Sequence, residues 1–507
     1  MHTANKVAIN TIVQYIQLVL NVLIGLYSVR IILNALGASD YGIFDLIAGV
    51  VGLLTFISSS LSQTSMRFLS VSLGKKDNAN TKKVFSTCFW LHFYIALILS
   101  IILIGLSFFL FDGFLRIEQD RVFVAKVLYY FMVFELFLNV SVTPFSALIA
   151  SHEKFIYISI VQILDSILKL AIAFIITACN SDKLMIYGLL IVGITLLNVV
   201  LYVVYAISHY REKMSISKVS ISEMREVTGF AGWTLLDVAG SVTTRQGYAI
   251  LLNTFFGTVV NATFAIARQV EGHMYTVSAS VINTMKPQIM KSGGSGDNER
   301  MFRLSLTAGK FGFSMMSLVA IPLLVMMPEV LTLWLKNVPE GTVLFTRLMV
   351  SACMFEQLTR GLVYANQAVG NIKWFSITIS TIRFMALPIS WICFRLGAQA
   401  YIAVIVFMIC ETIGSFCRVF VLYKISDFKP KLFINSVLLQ LLAPFAVSII
   451  CAVVISKVLP GICGILIVCV VADISYIFLF YFFGMTVEEK ETSISIVKSV
   501  KKQFLKS

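Results

Sequence analysis

Apolar runs of about 20 or more residues, separated by short connectors rich in charge or in small polar residues, recur from one end of this chain to the other. A run of that length crosses the hydrocarbon core of a bilayer as a helix, because a helix closes its backbone hydrogen bonds within one segment. The runs predict fourteen spans, near residues 8–36, 43–66, 84–111, 123–150, 155–179, 184–208, 229–256, 258–286, 304–327, 343–369, 374–394, 398–423, 435–457 and 461–484. At roughly 20 residues each they occupy more than half of the 507 residues and leave no room for a large soluble domain. Only 13% of residues are charged, against about 25% in soluble domains. The expected fold class is therefore all-α integral membrane.

The net charge of +14 raises the question of nucleic acid, but the basic residues sit in short loops between spans, where the positive-inside rule and anionic lipid account for them. No nucleic-acid partner is expected. With the N-terminus inside, 24 of the 40 Lys and Arg fall in cytoplasmic connectors and 8 in outer ones, which predicts cytoplasmic termini. The nine cysteines show no metal-ligand spacing and read as small buried hydrophobes. The first run is too long for a signal-peptide core and reads as span 1.

A weak internal repeat is present at an offset of 220 residues. Leu36-Gly37-Ala38-Ser39-Asp40-Tyr41-Gly42-Ile43-Phe44 aligns with Phe256-Gly257-Thr258-Val259-Val260-Asn261-Ala262-Thr263-Phe264, and Arg67 and Lys286 end the following span in each copy. Six spans is an even number, so the two copies start on the same side of the membrane as parallel pseudo-symmetric repeats. The expected organisation is a six-helix bundle at 1–209, a cytoplasmic linker at 210–228, a second six-helix bundle at 229–423, two extra helices at 424–484 and a cytoplasmic tail at 485–507. The segment Ser292-Gly293-Gly294-Ser295-Gly296-Asp297 reads as a flexible loop.

Span 1 carries Asn10, Gln14, Gln17, Asn21, Gly25 and Ser28 on one helical face, and spans 2 and 8 carry similar stripes. For the neutral residues, interhelical hydrogen bonding and small-residue packing is the simpler reading. Charges inside spans are costly and mark cavities, partners or ion pathways. Here they are Glu135, Asp165, Lys169, Asp237, Arg245, Arg268, Glu271, Glu356, Arg360, Arg383, Glu411 and Asp473. Asp165 with Lys169 and Glu356 with Arg360 stand at the favourable acid-before-base spacing of four. Arg30 and Arg418 lie near span ends, where Arg418 in particular can snorkel. What remains is an excess of positive charge read as unpaired at Arg30, Arg245, Arg268 and Arg383, a pattern that suits phosphate or carboxylate. Asp45, Glu135, Asp165, Lys169, Asp237, Glu271, Glu356 and Arg360 are the candidates for cavity lining or ion coupling. No nucleotide-binding or hydrolase motif occurs, so neither an enzyme nor a cofactor is expected.

The stretch Asn34-Ala35-Leu36-Gly37-Ala38-Ser39-Asp40-Tyr41-Gly42-Ile43-Phe44, with Ser62-Gln63-Thr64-Ser65-Met66-Arg67-Phe68 and Leu73-Gly74-Lys75-Lys76-Asp77, resembles the Wzx-type polysaccharide flippases. These belong to the superfamily that also holds the MATE exporters. Val259-Val260-Asn261-Ala262-Thr263-Phe264-Ala265-Ile266-Ala267-Arg268 resembles the segment that opens their second half. The resemblance implies a V-shaped alternating-access carrier of two six-helix bundles plus two C-terminal helices, in a bacterial inner membrane. It implies an undecaprenyl-diphosphate-linked oligosaccharide as substrate, turned to the periplasmic leaflet for O-antigen, capsule or exopolysaccharide assembly. Partners would include membrane lipid, polysaccharide polymerase and chain-length machinery. By position Arg30 and Arg268 are its first candidates for the diphosphate, with Arg67 and Arg245 next, and Arg383 joins the substrate-binding candidates on its charge. The alternatives are a MATE-like small-solute or drug antiporter and a membrane polysaccharide polymerase.

Overall fold

In a computed structural model of the chain the described residues are 2–52, 54–111, 119–179, 181–217, 219–335, 338–459, 461–491 and 494. The side chain of Asp45, a candidate for ion coupling, lies outside the described set. Every regular element among the described residues is helical. In chain order these are α1 (His2–Gly52), α2 (Thr55–Gly74), α3 (Asn78–Phe109), α4 (Val122–Ser151), α5 (Phe155–Ala178), α6 (Lys183–Tyr210), α7 (Ile221–Gly294) and α8 (Asn298–Val325). They continue as α9 (Met327–Leu335), α10 (Thr342–Leu358), α11 (Arg360–Val369), α12 (Lys373–Arg395), α13 (Ile402–Ile425), α14 (Pro430–Phe433), α15 (Leu439–Val458) and α16 (Ile462–Leu479).

The fourteen spans map onto this order. Spans 1 and 2 are joined within α1 at Gly37, and spans 7 and 8 within α7 at Gly257. Span 10 is interrupted at Thr359 between α10 and α11. Ten described helices are long and apolar enough to cross a membrane by length and composition, and the spans outside that set are 2, 7, 8 and 10. Those four are the polar or interrupted ones, and they carry Asp45, Arg67, Asp237, Arg245, Arg268, Glu271, Glu356 and Arg360 among the candidate site residues.

The 220-residue repeat is visible in the backbone. Gly37 has φ +80° and ψ 169°, and Gly257 has φ +82° and ψ −173°, a region that essentially only glycine occupies. One residue therefore makes each turn from span to span. The same register continues beyond it. Lys76 and Gly296 both have positive φ, Asp77 and Asp297 each accept from the backbone N–H three residues on at 3.0 Å, and α3 and α8 start at Asn78 and Asn298. The segment 292–297, expected as a flexible loop, is instead a helix end with a capped turn. Ser292 and Gly293 lie within α7, Ser292 is buried, and a Cβ on Gly293 would come within 2.8 Å of Ala368. Glycine there permits close packing.

The chain divides into two compact units, residues 12–235 and residues 1–11 with 236–507. The boundaries fall within α1 and within α7. In the first unit Ala231 O accepts from Ser60 at 3.2 Å and the Phe230 ring meets Phe68 edge-on at 5.5 Å. In the second unit Thr11 Oγ1 and Thr284 Oγ1 are 3.0 Å apart. Residues 11 and 231 are repeat-equivalent, and Ser60 lies one turn before the position equivalent to Thr284, so each unit takes the opening turns of one α1-type helix against a residue in the second-span helix of the other copy. The first unit's core packs Leu69, Phe85, Phe145, Leu148 and Ala206, and the second's packs Tyr248, Leu252, Phe264, Met349, Ala386 and Val404. In the first unit, Arg121 at the start of α4 forks between Asp40 and Asp182, while Asp182 also caps α6 through Met185 N. That clasp fastens the chain three residues past the Gly37 bend.

Candidate functional site

The intramembrane charges gather in two places, one in each unit. In the first unit, Asp165 Oδ2 accepts from Lys169 at 2.9 Å, as the spacing of four predicts, and its Oδ1 accepts from Asn198 on α6 at 2.7 Å. Glu135 on α4 lies beside Thr195, Asn139 and this pair. The neutral stripe of span 1 faces α5, where Gln17 donates to Gln162, and Ser159 and Ser166 donate to Gln17 and Asn21 at 2.9 and 3.0 Å. These residues serve helix–helix hydrogen bonding, the simpler of the two readings.

The second unit holds a larger cluster, drawn from α7, α10, α11, α12 and α13. Arg383 reaches three carboxylates, with Nε to Glu411 at 2.8 Å, Nη1 to Asp237 at 2.9 Å and Nη2 to Glu356 at 3.2 Å. Arg418 reaches Glu356 and Glu411 at 3.4 and 3.5 Å. Arg360 bonds Glu356 at 2.6 Å across the helix break and lies over the Tyr275 ring, whose hydroxyl donates to Glu356 at 3.4 Å. On α7, Arg245 grips both oxygens of Glu271 at 2.7 and 2.9 Å. In this cluster four guanidiniums meet four carboxylates. A buried charge must be matched in this way or its desolvation goes uncompensated.

Three expectations change as a result. Arg245 and Arg383, read as unpaired and available to an anionic substrate, are committed to carboxylates inside the protein. Arg418, read as snorkelling from a span end, is 1% exposed and sits inside the cluster. The partners of Arg245 and Arg383 lie 26 to 146 residues away in sequence, beyond the reach of helical spacing, whereas Arg418 meets Glu411 seven residues before it on α13 and Glu356 62 residues away. The available signal was that Asp237 and Glu411 have no acid–base partner at a spacing of four, and that Glu411 and Arg418 stand two turns apart on one helix.

Arg268 differs. It is half-buried, donates to the backbone O of Arg245 at 3.4 Å and lies 5.9 Å from the Phe264 ring centre, with no carboxylate within ion-pair distance among the described residues. It is the surplus cation beside a balanced network. In the first unit Arg30 is exposed and likewise shows no ion pair among the described residues. Arg67 is buried between the Phe68 and Phe230 rings, 4.4 Å from each centre. Asp473 stands apart from both clusters, at the middle of α16. Among the described residues no group of His, Cys, Asp and Glu is placed to hold a metal.

No protein-family model matches the chain, and no curated protein matches its sequence. Solved structures do resemble it. A MATE transporter in the bent conformation shares 13% identity at a TM-score of 0.73, covering 84% of this chain and 98% of its own. The MATE transporter ClbM in complex with Rb+ shares 14% at 0.70, covering 85% and 96%. A MOP superfamily transporter from Pyrococcus furiosus, in which a reverse polarity of the binding pocket suggests a different function, shares 14% at 0.68, covering 84% and 96%. The chain is thus a multi-pass membrane protein with the MATE transporter fold.

Proposed function

We propose that this protein is a flippase that carries a polyprenyl-diphosphate-linked oligosaccharide from the cytoplasmic to the periplasmic leaflet of a bacterial inner membrane. It works by alternating access and is coupled to an ion. The observation that carries the reading is Arg268, a guanidinium left over beside a network in which four others are neutralised. A surplus guanidinium on a polar span suits an anionic group, and a diphosphate takes its planar fork of donors well. The polyprenyl tail stays in lipid, which relieves the protein of solvating it. Arg30 and Arg67 are the further candidates for the diphosphate. The coupling candidates fall into the Glu135–Asp165–Lys169 group and the carboxylates around Arg383.

The motifs at 34–44 and 259–268 support the same substrate by their resemblance to the polysaccharide flippases. The fold alone does not fix the function, since in a Pyrococcus furiosus transporter that shares it a reverse polarity of the binding pocket suggests a different function. A small-solute antiporter is the second reading, favoured by the MATE transporters among the structural neighbours.

The test is an Arg268→Ala variant in a host whose surface glycan depends on this gene. The expected outcome is loss of displayed glycan with undiminished protein in the membrane and lipid-linked units stranded in the cytoplasmic leaflet. Full glycan display in that variant removes Arg268 from the site. Drug resistance on expression, with no glycan change on deletion, supports the antiporter instead.

A further inference from the structure

We infer that α15 and α16 form a docking surface for a transmembrane helix of another protein, one that carries a lysine or arginine at mid-membrane depth, with Asp473 as its ion partner. The inference is independent of the substrate proposed above.

Asp473 lies eleven residues from either end of the helical stretch that begins at Ile462 and runs through the π turn to Gly484, hence at mid-depth. Its Oδ1 is buried and has no hydrogen-bond partner among the described residues. The other described carboxylates within spans, Asp165, Asp237, Glu271, Glu356 and Glu411, have ion partners, and Glu135 lies beside Thr195 and Asn139. Cys469, one turn before, is the titratable neighbour of Asp473. A lone carboxyl at this depth is costly and marks a partner or a pathway.

The rest of the hairpin shows which face is free. One side of α16 is anchored in its own unit, with Ala472 buried and the buried Tyr476 hydroxyl donating to Ser314. Lys310 on α8 holds the inner end by donating to Gln440, Gly484 O and Glu489. Around Asp473 on the other side, Val470, Ile474 and Ile477 are exposed by 56, 63 and 56%.

Charge complementarity selects the occupant. Helices α15 and α16 carry no Lys or Arg between Lys431 and Lys490 except Lys457 at the end of α15. A second copy meeting this face would bring carboxyl against carboxyl, whereas a helix with a mid-depth base neutralises the part-buried Asp473 carboxylate.

The test uses the full chain in lipid vesicles with a fluorescent poly-leucine helix that carries one central lysine, compared with the same helix carrying leucine there. Energy transfer is expected to report roughly tenfold tighter association of the lysine helix. Asp473→Leu abolishes that preference, and the size-matched Asp473→Asn reduces it with the protein's thermal unfolding unchanged. Equal association of the two helices overturns the inference. So does a photo-crosslinker at Ile477 that joins two copies of this chain in a manner dependent on Asp473.

Discussion

Arg383 is the side chain whose loss tests the charge network most sharply. It is 7% exposed and bonds Glu411, Asp237 and Glu356 at 2.8, 2.9 and 3.2 Å. Arg383→Met removes the charge and keeps the apolar stem. Glu356 and Glu411 then share Arg418 at 3.4 and 3.5 Å and Glu356 keeps Arg360, while Asp237 loses its ion partner. Breaking a buried pair from one side costs about 3 to 5 kcal/mol, because the stranded charge stays desolvated. Glu411→Gln strands positive charge instead and destabilises in the same direction. The double variant removes one charge of each sign, so its cost falls below the sum of the singles by about 2 kcal/mol or more. Reversible unfolding in mixed micelles, followed by tryptophan fluorescence, measures all three. Additivity within about 0.5 kcal/mol, or a cost under about 1 kcal/mol for Arg383→Met, refutes the network as described.

The two bends predict a matched effect. Gly37→Ala and Gly257→Ala introduce no contact within 4 Å, so their cost is torsional, about 1 to 3 kcal/mol each, whereas Gly105→Ala inside α3 is neutral or stabilising; thermal unfolding separates them. Lys310 is buried on Glu489 at 2.5 Å, so Glu489→Ala or removal of the tail from Glu489 onward destabilises the second unit by about 1 to 3 kcal/mol. Lys310→Met restores most of that loss, read as the melting temperature of the double variant. Asp77→Ala and Asp297→Ala, whose capping bonds are both 3.0 Å, lower protection of the first amides of α3 and α8 by a similar amount, about 1 kcal/mol, in hydrogen exchange.

What could be read in advance followed the physics that acts locally along the chain. Apolar runs placed the helices because burial in lipid requires about 20 apolar residues whatever their neighbours are. The repeat was legible in a glycine at 37 and another at 257, since a backbone turn of that kind leaves few residue choices. Pairs at a spacing of four, Asp165 with Lys169 and Glu356 with Arg360, were legible for the same reason. Contacts made through tertiary packing were not. Arg245 and Arg383 read as spare cations because Glu271, Asp237 and Glu411 belong to other turns and helices. Arg418 read as snorkelling because its place near a span end says nothing of what packs over it. The segment at 292–297 read as mobile because glycine supports either freedom or close approach, and Ala368 decides for the second.

The central claim, that the cargo is an anionic lipid-linked sugar received by a surplus guanidinium, is tested most directly in proteoliposomes. Purified protein is reconstituted with a labelled polyprenyl-diphosphate oligosaccharide, and the fraction accessible to an external probe is followed over time. The account predicts protein-dependent crossing that Arg268→Ala abolishes and Arg268→Lys partly keeps. Crossing at the protein-free rate, or full activity of Arg268→Ala, contradicts it.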